Sequence, residues 1–167
     1  TWFVPINIIV NSMVAYTVYS FSRRLSGNRL IAFLCGFLYQ LSRMSYYQIA
    51  QLYGLMETLA LWAALGILWC LYEYLNSPEQ KLSCFWTGCG LYFAVCFIHE
   101  RYMVLLPLFY VVLLLRKNRK PGEWLLPTGL FILVQLIRLA AIGTLSPAGT
   151  GGTDVADTLD LMQAVTY

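Results

Sequence analysis

Charged residues are scarce in this sequence. Asp, Glu, Lys and Arg make up 11% of its 167 residues, there is one histidine, and the net charge is +3. Hydrophobic residues make up 59%, aromatic residues 16%, and the mean hydropathy is +0.65. This composition excludes a sizeable soluble domain and predicts an all-α, polytopic membrane protein whose surroundings are the lipid bilayer. The small positive charge does not indicate a nucleic-acid partner.

The sequence also lacks the usual signatures of metal and nucleophile chemistry. Its five cysteines form no Cys-x-x-Cys pair and no cluster with histidine, so we predict no metal site and interpret them as small helix-packing residues. A single histidine cannot supply a Ser/His/Asp or Cys/His arrangement, and well-placed paired carboxylates for hydrolysis are missing. Residues 2–22 have no basic leader and no cleavage site, so no signal peptide is predicted. Because Thr1 already lies in an apolar run, we interpret the chain as an internal fragment of a longer protein.

Apolar stretches separated by short polar segments predict about six transmembrane helices. The spans are placed at 2–22, 30–46, 57–74, 84–98, 102–115 and 124–144, within a membrane core of residues 1–145. Cytoplasmic loops collect Lys and Arg, so the basic segments 23–29, Lys81 and 116–120 are assigned to the cytoplasm. Segments 47–54, 99–101 and 146–167 are then extracytoplasmic. We expect a multi-pass protein of a bacterial cytoplasmic membrane.

The stretch 84–116 is apolar except for His99, Glu100 and Arg101 near its middle. It forms either one very long helix or two short helices that meet at a tight turn. The hairpin places eight of the eleven basic residues on one side of the membrane, whereas a single crossing divides them equally, so the hairpin is favoured. Fifteen residues reach only about 22 Å of a core about 30 Å thick. The turn is therefore predicted just below the outer headgroups, facing a polar cavity.

The last segment, 146–167, is predicted to be an extracytoplasmic loop followed by an amphipathic helix on the membrane surface. Its Gly-Thr-Gly-Gly-Thr-Asp run lacks the Gly-Lys-Ser/Thr ending of a phosphate loop. Asp154, Asp157 and Asp160 could bind a divalent cation, but their spacing places them along one helical stripe, which is more typical of a solvated face. No cofactor is predicted.

Six ionisable residues from five different spans map to the outer half of the membrane or its outer surface. They are Arg43, Glu57, His99, Glu100, Arg101 and Arg138. Positive groups on that side oppose the inside bias, and an anionic lipid phosphate would account for them, because Arg forms charge-assisted bonds with phosphate. A protonated histidine would add a donor. The alternative is that Glu57 or Glu100 pairs with the arginines and holds the helices together.

The layout resembles the membrane-embedded GT-C glycosyltransferases, which include the protein O-mannosyltransferases and the aminoarabinose transferases of lipid A. Three stretches carry the resemblance: RRLSGNRLIAFLCGFLYQLS, YYQIAQLYGLMETLALW and GCGLYFAVCFIHERYMVLLPLFYVVLLL. It covers essentially the whole chain, as the equivalent of the second to seventh spans of that fold. Each motif is degenerate, and their order and sidedness strengthen the case.

The resemblance implies a hexosyl or pentosyl transferase that uses a polyprenyl-phosphate-linked sugar on the extracytoplasmic face. Arg101 and Arg138, with His99 and Arg43, would hold the lipid phosphate and stabilise the leaving group. The family's acidic base lies in an outer loop that would precede Thr1, so the catalytic residue is unknown and the fragment alone is expected to be inactive. Glu57 and Glu100 do not match that motif and are only acceptor-side candidates.

Two other functions compete with this interpretation. A transporter or flippase for a lipid-linked or anionic solute would use the same cluster as its substrate site, although the chain shows no internal repeat of the kind common in transporters. The third hypothesis is a structural membrane subunit whose charged residues only form pairs with its partners.

Overall fold

The computed structural model describes residues 2–77, 82–116 and 121–142. This described part is entirely helical and turn structure, without a strand, so the all-helical prediction is confirmed. Its α-helices are α1 (Phe3–Ser26), α2 (Arg29–Leu41), α3 (Arg43–Ala50), α4 (Gly54–Asn76), α5 (Leu82–Ile98), α6 (Leu106–Leu115) and α7 (Pro121–Ile142), with a 3₁₀ helix over Glu100–Leu105. Predictions for Lys81, for most of 116–120 and for 146–167 with its three aspartates lie outside the described residues.

Three of the helices are long and apolar enough to cross a membrane: Phe3–Ser26, Gly54–Asn76 and Gly122–Ala141. They support the prediction of a membrane protein. Two further apolar helices, Arg29–Leu41 and Leu82–Ile98, are shorter. The number of spans and their sidedness remain predictions.

The first connection follows from local capping residues. Gly27 ends α1 with φ 68°, a left-handed conformation that glycine adopts at no steric cost, and its N–H bonds the carbonyl of Arg23 at 2.9 Å. Arg23 and Arg24 lie in the last turn of α1, where positive charge favours the helix dipole. Asn28 then accepts a hydrogen bond from the Leu30 N–H and begins α2. Much of the predicted loop 23–29 is therefore helix.

The predicted span 30–46 is divided between two helices. α2 ends at Leu41, and Ser42 is extended (φ −68°, ψ 149°). The Ser42 hydroxyl accepts a hydrogen bond from the Ser45 N–H at 3.2 Å, which begins α3. α3 ends at Ala50, and a short turn leads to α4 at Gly54, within the predicted outer segment 47–54.

The apolar core is built from α4, α5, α6 and the first part of α7. Phe109 of α6 lies with its ring 5.5 Å from that of Tyr92 and 6.1 Å from that of Phe85, both on α5. α6 therefore contributes to the same core as α5. Tyr74 of α4 and Val134 of α7 are also fully buried. The chain forms two compact units, Thr1–Val134 and Gln135–Tyr167, and this core belongs to the first.

Candidate functional site

Glu57 lies in the first turn of α4, where a carboxylate interacts favourably with the helix dipole. Gly54 begins this helix and packs directly on the end of α3. A Cβ atom at Gly54 would overlap the carbonyl oxygen of Gln48 and lie 2.6 Å from the carbonyl carbon. Glycine thus allows the close approach that places Glu57 beside α3.

His99 and Arg101 reach Glu57 because the helix ends just before them. α5 stops at Ile98, His99 is extended (φ −153°, ψ 113°), and the 3₁₀ helix begins at Glu100. Nε2 of His99 lies 3.1 Å from Oε1 of Glu57. Nη2 of Arg101 donates to the same oxygen at 3.2 Å. One carboxylate therefore joins two groups that lie more than forty positions further along the sequence.

This cluster is only partly shielded from its surroundings. The side chains of Glu57 and His99 are 29% and 26% exposed, and that of Arg101 is 62% exposed. Exposed ion pairs stabilise a protein by at most about 1 kcal/mol. The Glu57–Arg101 ion pair therefore contributes little to stability, and the other N–H groups of the guanidinium can bind a ligand.

A cavity of about 250 Å³ opens beside the cluster. It is lined by Met44, Tyr47, Gln48, Gln51, Glu57 and Arg101. Guanidinium, carboxylate, amide and phenol groups therefore share one small space. Such a set of donors and acceptors can bind a polar ligand that carries both kinds of group.

Arg43 contacts Tyr47, which is one of the residues that line this cavity. Its Nη2 donates to the Tyr47 hydroxyl at 2.9 Å, and its guanidinium carbon lies 5.2 Å from the centre of that ring. The contact holds Tyr47, which lines the cavity, and leaves the Arg43 side chain exposed.

The remaining candidates are placed differently. Glu100 begins the 3₁₀ helix and is partly buried, but it is not among the residues that line the cavity. Arg138 lies near the end of α7 in the second compact unit, with its residue 8% exposed. The structure thus joins Glu57, His99 and Arg101 directly. The role of Arg138 in a phosphate site stays a prediction.

A buried polar network behind the cavity was not predicted. Asn11 of α1 donates to Gln48 Oε1 at 3.0 Å and to the Tyr39 hydroxyl at 3.1 Å, and Tyr39 donates to the same Gln48 oxygen at 2.9 Å. Ser45 donates to Asn11 Oδ1 at 2.7 Å. Asn7 donates to the carbonyl of Ile49, near the end of α3, and to that of Gln51, just after it. The only local signal was a pair of amides inside an apolar span, which gives no partner.

Tyr102 completes the turn beside His99. The two rings are 6.2 Å apart in an edge-to-face arrangement. The phenol of Tyr102 can both donate and accept a hydrogen bond.

Within the residues that the structure describes, no three His, Cys, Asp or Glu side chains are grouped to hold a metal ion. Comparisons with protein-family models, with curated proteins and with solved structures find no significant match for this chain. The resemblance to GT-C glycosyltransferases therefore remains a prediction, and function must be argued from the site itself.

Proposed function

We propose that this chain is part of a membrane glycosyltransferase that moves a sugar from a polyprenyl-phosphate donor to an acceptor on the extracytoplasmic face. The observation that carries the proposal is Arg101: an exposed guanidinium on the wall of a polar cavity, set among apolar helices. Its one hydrogen bond to Glu57 leaves other N–H donors of the guanidinium for a ligand. A phosphate is the group that this geometry suits best.

The proposed membrane arrangement has six spans, with the turn at 99–101 on the extracytoplasmic side. The break at His99 supports this arrangement, because α5 and α6 are too short to place the turn outside the headgroups. Backbone without regular helical bonding is tolerated at that depth only beside protein or water. The cavity next to Arg101 supplies such an environment.

In the proposed reaction, Arg101 binds the phosphate oxygens of the donor and stabilises the negative charge that develops when the glycosidic bond breaks. His99, when protonated, adds a second donor beside it. Arg43, which is exposed and donates to the Tyr47 hydroxyl, attracts the same anion. Glu57 positions His99 and Arg101, and we assign it no role as the base.

The proposal is tested by measuring the binding of a short-chain prenyl phosphate to the chain in lipid nanodiscs. Arg101→Ala should weaken binding about 10- to 100-fold, because a hydrogen bond to a charged group contributes about 1.5–3 kcal/mol. Arg24→Ala is the matched control: Arg24 is also exposed and also pairs with a glutamate of α4, Glu73. That pair lies about 24 Å further along the helix, at a rise of about 1.5 Å per residue. Equal affinities in all three proteins would overturn the proposal.

The observed pairing of Glu57 with His99 and Arg101 also favours a second candidate, a purely structural cluster that joins α4 to the turn. The same variants separate the two functions. A structural role predicts that Arg101→Ala lowers the melting temperature slightly, as Arg24→Ala does, without a selective loss of prenyl-phosphate binding. A ligand-binding role predicts the selective loss.

A further inference from the structure

Arg43 and Tyr47 form a pair on one face of α3. Ser42 caps this helix, so Arg43 is its first residue, and Tyr47 follows four positions later, a spacing that makes two side chains neighbours. Nη2 of Arg43 lies 2.9 Å from the Tyr47 hydroxyl, and the guanidinium carbon lies 5.2 Å from the centre of the ring. Two separate contacts therefore hold the guanidinium against this one phenol.

The chemistry of the pair fixes the direction of its hydrogen bond. A guanidinium has N–H donors and no acceptor, so the oxygen of the Tyr47 hydroxyl must accept. The hydroxyl hydrogen is then directed away from Arg43 and is available to an acceptor elsewhere. Because hydrogen bonds in a chain polarise one another, accepting from a cation also makes the phenol a stronger donor.

Tyr47 lines the same cavity as Arg101, although the two residues come from different elements, α3 and the 3₁₀ helix. Tyr47 is 42% exposed and the Arg101 side chain is 62% exposed, so both are accessible to a ligand. The cavity has a volume of only about 250 Å³. An anion that Arg101 binds in this small space is therefore close to the phenol as well.

We propose that Tyr47 is a further phosphate-binding residue, whose O–H donates to the anion that Arg101 binds, and that Arg43 is a positioning residue that acts through Tyr47. This inference rests on the proposed function, because it adds a donor to the same lipid phosphate. A phosphate carries several acceptor oxygens, so it accepts from a guanidinium and a phenol at once. The inference also gives Arg43 a defined contribution, although Arg43 is not among the residues that line the cavity.

The test measures the affinities of a short-chain prenyl phosphate and of the matching prenyl alcohol for the full chain in nanodiscs. Both ligands share the apolar tail, so the ratio of their affinities isolates the phosphate. Tyr47→Phe removes only the hydroxyl and should reduce this ratio about tenfold, which is the lower end of the range for a hydrogen bond to a charged group. The lower end applies because Tyr47 is partly exposed.

Tyr46→Phe is the matched control. Tyr46 directly precedes Tyr47, is 70% exposed, and is not among the residues that line the cavity. Its ring lies 6.1 Å from the ring of Tyr47, and both phenylalanine variants keep that contact. The ratio should be unchanged in Tyr46→Phe, and melting curves show that each variant folds.

A double-mutant cycle tests the role of Arg43. Arg43→Met keeps an unbranched side chain and removes the donor to the phenol, so it should reduce the ratio about threefold in the unmodified chain. In a chain that already carries Tyr47→Phe, the same change should have little further effect, because no hydroxyl remains to be polarised. Equal losses in the two backgrounds would show that Arg43 acts by its charge alone and would overturn its role as a positioning residue.

The outcomes separate this inference from the proposed function. If Arg101→Ala weakens binding but Tyr47→Phe leaves the ratio unchanged, or if Tyr46→Phe reduces it equally, the role of Tyr47 is overturned and the phosphate site stands. If no prenyl phosphate binds, the proposed function fails, and phosphorus NMR with inorganic phosphate decides the anion site alone. Phosphate binding that Tyr47→Phe weakens would retain the inference, and absence of binding would overturn it.

Discussion

Replacing Glu57 by glutamine removes the negative charge from the site while preserving its size and one acceptor oxygen. His99 and Arg101 both contact that single oxygen, at 3.1 and 3.2 Å. If Arg101 binds a lipid phosphate, the Glu57 carboxylate opposes the bound anion. The substitution should therefore tighten the binding of a bare prenyl phosphate.

The size of this effect follows from Coulomb's law. Two charges about 6 Å apart interact by about 3 kcal/mol at an effective dielectric constant of about 20, and by about 0.7 kcal/mol in water. The Arg101 side chain is 62% exposed, so the value near water is the better guide. We expect a gain of about 1 kcal/mol, which is roughly fivefold in affinity.

The assay is equilibrium binding of the prenyl phosphate in nanodiscs, together with a melting curve. Glu73→Gln is the control, because Glu73 is also on α4 and also pairs with an exposed arginine. It should leave the affinity unchanged. The melting temperature should fall only slightly in both variants, as expected for partly exposed ion pairs. Weaker or unchanged phosphate binding in Glu57→Gln would refute the reasoning that this carboxylate competes with the ligand.

Two further predictions concern the scaffold that holds the cavity, and both are read from melting curves. Gly54→Ala should destabilise the protein by about 1–3 kcal/mol, because the new Cβ meets backbone atoms that side-chain rotation cannot move. Gly90→Ala is the control: no heavy atom lies within 4 Å of its Cβ, so this variant should be neutral or stabilising. Equal melting temperatures of the two variants would contradict the close packing of α3 on α4. Asn11→Leu should lower the free energy of unfolding by at least about 2 kcal/mol, because it leaves buried donors and acceptors of the network unpaired. Ser12→Ala is the control and should change it little, because that hydroxyl makes only an exposed hydrogen bond to the carbonyl of Ile8 in its own helix. An Asn11→Leu variant as stable as the unmodified chain would show that the network is dispensable.

Patterns in the sequence predicted the features that depend on neighbouring residues, namely the long apolar helices and several helix ends. Long apolar runs with few charges identified α1, α4 and α7 as membrane-crossing candidates, since hydropathy and length are enough for that decision. The three ionisable residues in the middle of 84–116 identified the break at His99. Gly27 and Asn28 are typical capping residues and mark the first turn. The break at Ser42 had a signal as well, because serine at that position caps α3, but the apolar residues around it concealed the interruption.

The pairing of distant polar groups could not be predicted in the same way. Asn11 and Gln48 are far apart in the sequence, and nothing in the pattern around either residue indicates the other. The same holds for Glu57 and His99. Hydropathy places each group at a depth in the membrane, but depth alone leaves open which helices are neighbours. Arg43 illustrates the difference, because its predicted place near the outer end of a span gave no indication of its contact with Tyr47.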